Sequence, residues 1–169
     1  MEKNFLKTID NKVLDSCETV AEKASSLGIG ELGLARCADV VVSIGVLAFG
    51  YTVMAHPLYN NQLSTTLQQT VGLLFGFVGL SYCYNGWKAN KKIENYKEFI
   101  PQLLEQINSN LDQSRRWFRP LALIGGTLSA TVAAYFVQSP ILFGIFLANT
   151  LLPLGAAFGD YFRQLYMER

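Results

Sequence analysis

Four stretches of this chain hold no Asp, Glu, Lys, Arg or His: 40–55, 70–84, 121–137 and 141–158. An 18-residue helix is roughly 27 Å long, close to the hydrocarbon thickness of a bilayer. The first two stretches are short, but 56–59 and 67–69 lengthen them at little charge cost. None shows the alternation of a β-barrel strand. A soluble bundle with buried core helices is the alternative, but such helices are usually amphipathic, and these are apolar all round. The expected fold is therefore an all-α integral membrane protein, with four transmembrane helices arranged as two hairpins.

Outside the apolar stretches the pattern changes to one face in three or four. Leu6, Ile9, Val13, Cys17, Val20 and Ala24 predict an amphipathic helix over 3–25. The run Gly28-Ile29-Gly30 ends it and supplies a hinge. Ile93, Tyr96, Ile100, Leu103, Leu104, Ile107 and Leu111 make a second stripe. Pro101 divides it into a helix continuing from the second span and another ending near Arg115. Pro120 is expected to open the third span, and Ser139 to cap the fourth. The resulting plan is 1–37 amphipathic helix and hinge, 38–87 first hairpin, 88–118 amphipathic helices, 119–159 second hairpin and 160–169 tail. Interfacial helices favour bases on the polar face. Acids are mixed in here, so the stripe Ile93, Ile100, Leu104, Ile107 and Leu111 is expected to pack on protein.

Charge placement sets orientation. The chain has 14 Lys and Arg against 13 Asp and Glu, so nothing global attracts nucleic acid. Every base lies before residue 40, between 84 and 121, or after 158; the links 56–69 and 138–140 carry none. The positive-inside rule then places both termini and the middle segment on the cytoplasmic-type side. Trp87 and Trp117 fall at inner boundaries, as interfacial aromatics do. The N-terminus resembles neither a cleavable signal nor an acid-poor transit peptide.

Candidate chemistry is sparse. His56 is the only histidine, and no acid or cysteine shares its side. Cys17, Cys37 and Cys83 have neither metal-ligand spacing nor the setting of a disulfide framework. Ser81 lacks a nucleophile-elbow frame, no Gly-rich phosphate loop is present, and no carboxylate lies within a span. No catalytic residue, cofactor or metal is expected, and the chain reads as a non-enzyme. Small residues recur at Gly72 and Gly76, at Gly126 and Ala130, and at Gly144 and Ala148, where helix backbones can approach closely. Asn149 and Thr150 sit mid-span, and Pro153 frees the Asn149 carbonyl. With Thr127 and Thr131 they are the candidate intramembrane polar site, serving either as helix glue or as a pore lining. Asp39 at the inner boundary is expected to pair with Arg36 or the helix end.

These features lead to the expectation of a multi-pass protein that works by assembly, as an accessory, scaffold or self-assembling subunit of a membrane complex. Its partners would be the lipid bilayer and a homo- or hetero-oligomer. A homo-oligomeric channel for ions or small solutes is the rival. A third reading is membrane shaping, because two hairpins with all soluble parts on one side resemble the plan of reticulon-type proteins, without a shared motif.

Overall fold

The structure, a computed structural model, describes residues 2–55, 62–135 and 139–169. Those residues form five helices and no strand: α1 (Glu2–Ser25), α2 (Glu31–Ala55), α3 (Gln62–Phe99), α4 (Pro101–Tyr135) and α5 (Pro140–Glu168). The α1–α2 hinge turns at Gly28, whose φ of 79° is a conformation that favours glycine. Ile100 alone separates α3 from α4, as the proline after it predicts. The expected tips of both hairpins, with His56, Pro57, Tyr59 and Gln138, lie outside the described residues.

The four long helices pack in the order α3, α2, α5, α4, and α2 does not touch α4 among the described residues. Helix α1 lies at one end, against α4, α5 and the start of α2. We call this the inner end. Small residues set the close crossings. A Cβ on Gly72 would sit 2.7 Å from the Gly50 carbonyl oxygen, so α2 and α3 meet nearly backbone to backbone. A Cβ on Gly155 would come within 2.9 Å of the Ala38 carbonyl, and one on Gly126 within 2.6 Å of Leu154. Gly144 accommodates Thr52, and Ala148 is buried against Gly45. Four of the expected packing residues therefore work within the chain. Gly76 packs more loosely, its nitrogen 3.5 Å from where a Cβ on Gly50 would sit, and Ala130 is exposed.

Several expectations are corrected. By length and composition, two helices among the described residues, not four, are apolar enough to cross a membrane: Glu31–Ala55 and Leu142–Glu168. The physical reason is length: the apolar stretches of α3 (70–84) and of α4 within the described residues (121–135) are shorter than 18 residues, so a full span takes in polar flanks such as Gln69, Asn85 or Arg119. The apolar run of α4 also continues into 136–137, beyond the described residues. The first span gains its length on the inner side, through Glu31, within the described residues. Pro120 does not open a helix; it lies inside α4, a full helix length after the true start at Pro101. Ser139 stands at the N-cap of α5, but its side chain makes no capping bond. The middle stripe is only partly covered. Leu104 is buried and Ile93 and Ile107 are half-buried, whereas Ile100 and Leu111 are exposed.

Candidate functional site

The chemically richest region is the inner end, where acids and bases carried on all five helices converge. Asp39 ends the charged part of α2, and its side chain is only 3% exposed. It does not pair with Arg36, which reaches Glu94 instead at 3.8 Å. Arg163, one turn from the end of the apolar part of α5, donates through Nη2 to Asp39 Oδ2 at 2.5 Å. The same guanidinium donates through Nε to Asn90 Oδ1 of α3 at 2.7 Å. Asn90 Nδ2 closes the triangle on Asp39 at 3.4 Å. Two glycines make room: a Cβ on Gly86 would collide with the Asp39 carboxylate, and one on Gly159 would lie 3.5 Å from it. This triad bolts α2, α3 and α5 together.

A second network joins α4, α5 and α1. Arg115 and Arg119, one turn apart on α4, both point Nε at Asp160, at 3.1 and 2.7 Å. Arg115 also donates to Asn108, and Arg119 to Gln164. The Arg119 guanidinium lies 4.3 Å from the centre of the Tyr161 ring, a cation–π contact that desolvation strengthens. Tyr161 Oη donates to Asp10 Oδ1 of α1 at 2.6 Å. Burial draws the Arg115 guanidinium below the usual arginine value, and Asp160 opposes that. A third tie is at the surface, where Arg169 reaches Glu31, Glu18 and Glu22 at 2.9, 3.3 and 3.6 Å. Lys97 donates to the Tyr166 carbonyl and covers its ring.

Beneath α1 lies an apolar cluster of Cys17, Ala21, Ala35, Ala122, Ala157, Tyr161, Phe162 and Leu165. Burial pushes the Cys17 thiol up to about 11, with Arg119 pulling weakly the other way. It is therefore a protonated packing group and not a nucleophile. Three open clefts of about 420, 440 and 380 Å³ flank the network. Their linings mix acids and bases, with side-chain amides in the first two. No group of three or more His, Cys, Asp or Glu among the described residues is placed to hold a metal. The arrangement is a set of ties between helices, two of them buried and one at the surface.

The intramembrane candidates do not form a unit. Thr150 is buried, and its hydroxyl donates to the Phe146 carbonyl of its own helix. Thr127 and Thr131 are exposed and bond back to α4, at Leu123 and Thr127 respectively. Pro153 packs towards Gly126. Asn149 is exposed and makes no hydrogen bond among the described residues.

Sequence reasoning named Asp39 but not its partner, and it missed Asn90, Arg115, Arg119, Asp160 and Arg163 as a unit. The available signal was their position. Each lies within a turn or two of an apolar boundary, and Arg115–Arg119 and Asp160–Gln164 are spaced to share a helix face. No family model matches the chain, and no curated protein or solved structure is significantly similar to it.

Proposed function

We propose that the chain crosses a membrane four times, with both termini on the cytoplasmic-type side, and acts by assembly as a non-enzymatic subunit or scaffold. The observation that carries this reading is its inverted polarity. Leu73, Phe77, Leu80, Ile44, Leu47, Leu128 and Tyr135 are exposed along the helices, Phe77 by 70% and Tyr135 by 85%. Asp39, Arg115, Arg119 and Asn90 are buried. A soluble monomer rarely exposes so extensive an apolar surface. Of the most apolar windows of α2 and α5, only 44% and 33% are buried. A core helix of a soluble bundle would be mostly covered.

Assembly rests on what the fold leaves unused. Once Gly72, Gly126, Gly144 and Ala148 are spent inside the chain, Thr127, Ala130, Thr131 and Ala134 remain exposed along one side of α4. Such a row lets a second helix approach closely. Asn149 is a further unpartnered group in an apolar stretch, where a polar side chain gains from a partner helix.

Topology is tested with a membrane-impermeant maleimide on sealed vesicles carrying the chain. Cys37, exposed at the inner end, should react only after the vesicles are opened if its side faces the lumen. A Cys placed by Ser139→Cys should show the opposite behaviour. Equal access to both sites would sink the four-span reading. Native mass spectrometry from the protein's own membrane tests assembly. Fixed companion chains or a fixed homo-oligomer support it, and a lone monomer in gentle detergent counts against it.

A further inference from the structure

The bases of the inner end fall into two classes. The arginines are committed: Arg36, Arg115, Arg119, Arg163 and Arg169 each hold an acid within 4.0 Å. Lys88, Lys91 and Lys92 of α3 are exposed and make no ion pair among the described residues. Lys91 Nζ lies 5.6 Å from the centre of the Trp87 ring, and Lys92 Nζ lies 5.2 Å from that of Tyr96. Tyr84 and Trp87 form an exposed pair with ring centres 6.3 Å apart. Helical spacing carries this face straight up α3. Leu73, Phe77, Leu80 and Tyr84, each more than half exposed, lie on the side turned away from α2, because Gly72, Gly79, Gly86 and Asn90 take the inward side.

The dimensions fit one leaflet. From Leu73 to Tyr84 the helix rises roughly 16 Å, and half of a hydrocarbon core is about 15 Å. An acyl chain laid along this face ends at the Tyr84–Trp87 pair, where interfacial aromatics sit. The three lysines follow over about one and a half turns beyond Trp87, at the depth of a phosphate. We propose that this face of α3 binds an anionic phospholipid of the inner leaflet, its headgroup held by Lys88, Lys91 and Lys92. The nearest acid on that helix, Glu94, faces Arg36 at 3.8 Å and makes no ion pair with them. This inference rests on the membrane-spanning reading.

The test uses the full chain with Trp117→Phe, leaving Trp87 as the only tryptophan, reconstituted into bilayers containing brominated lipid. Quenching of Trp87 should show a preference of about tenfold for brominated phosphatidylglycerol over brominated phosphatidylcholine. Replacing Lys88, Lys91 and Lys92 together by Gln should abolish that preference. Replacing Lys7, Lys12 and Lys23 by Gln, the same charge change on α1, should leave it intact. A chain keeping Trp117 and carrying Trp87→Phe should show a smaller preference. Equal quenching by both lipids overturns the headgroup site but leaves the membrane reading standing. A preference that survives the α3 lysine changes also overturns it. No quenching by either lipid removes the membrane reading itself.

Discussion

Over its second half, α2 meets its neighbours through Gly45, Gly50 and Thr52; over its first, it meets them through Leu32, Ala35, Ala38 and Asp39. The two halves are held by different physics. In the apolar half the closest contacts are backbone approaches at small residues, and large side chains such as Ile44 and Tyr51 point outward, while Phe49 meets Phe75 edge to face at 4.8 Å. That is how helices associate where the surroundings are as apolar as the side chains and burying Leu gains little. In the inner half, α1 closes an apolar cluster, and ion pairs link helices that are far apart in sequence. The difference teaches that the upper half is positioned by where its small residues fall. The lower half is positioned by which charges meet across helices.

The largest effect should come from breaking the inner half. Arg163→Leu leaves the Asp39 carboxylate, 3% exposed, without its cation. An uncompensated buried charge costs on the order of 3–5 kcal/mol. The double change Asp39→Leu with Arg163→Leu should recover most of that, since an apolar pair replaces a desolvated ionic one. Reversible unfolding in mild detergent reads both. A single variant as stable as the parent would mean that the triad does not hold α2, α3 and α5 together.

The next effect probes the upper half. Gly72→Val must push α3 away from the Gly50 carbonyl, which lies 2.7 Å from the added Cβ; overpacking of this kind costs about 1–3 kcal/mol. Gly125, one residue from the α4–α5 contact, has nothing within 4 Å of an added Cβ. Gly125→Ala should be neutral or stabilising by up to about 1 kcal/mol, from helix propensity alone. If both glycine variants behave alike, close approach is not what holds the apolar half.

These two halves also differ in how far the sequence discloses them. Helical periods and breakers act locally, so the α1 helix, the Gly28 turn and the break at Pro101 were readable, although Val20 of the α1 stripe is exposed and Ala21 takes the inward place. The crossing residues Gly72, Gly126, Gly144 and Ala148 were readable as small-residue rows, though not which helix each would face. The Asp39–Arg163 pair spans 124 residues of chain, and nothing in the spacing of one helix specifies a partner on another. Pro120 misled because a proline inside a helix and one at its first turn look alike locally. Only the tertiary setting shows that α4 runs through it. Likewise Asn149, Thr127 and Thr131 share polarity and depth along their helices, but each threonine spends its hydroxyl on its own backbone.

A smaller effect sharpens the picture of the inner cluster. The Cys17 thiol is pushed from 9.0 up to about 11, chiefly by burial. A thiol that holds its proton more tightly when folded contributes stability fully present below pH 9. That contribution falls away as pH rises from about 9 to about 11, because the unfolded chain ionises first. Cys17→Ala should flatten this part of the pH–stability curve. At pH 8 the native chain should be alkylated at exposed Cys37 well before Cys17. Rapid labelling at Cys17 would show that α1 lifts readily from α5.

The smallest effect on folding is expected at Asn149, and it separates the protomer from its assembly. The side chain is exposed and makes no hydrogen bond among the described residues, so Asn149→Leu should change the unfolding free energy of the isolated chain by no more than about 0.5 kcal/mol. If Asn149 meets a partner helix in the membrane, the same substitution should weaken association by about 0.6 kcal/mol or more, the scale of a hydrogen bond between helices in lipid. Energy transfer between donor- and acceptor-labelled chains in liposomes reads that equilibrium as lipid is added to dilute the protein. An unchanged dilution curve alongside an unchanged stability leaves Asn149 facing lipid and shifts the weight of assembly to Thr127, Ala130, Thr131 and Ala134. A steeper loss of transfer, with stability intact, places the contact between chains on the Asn149 side of α5.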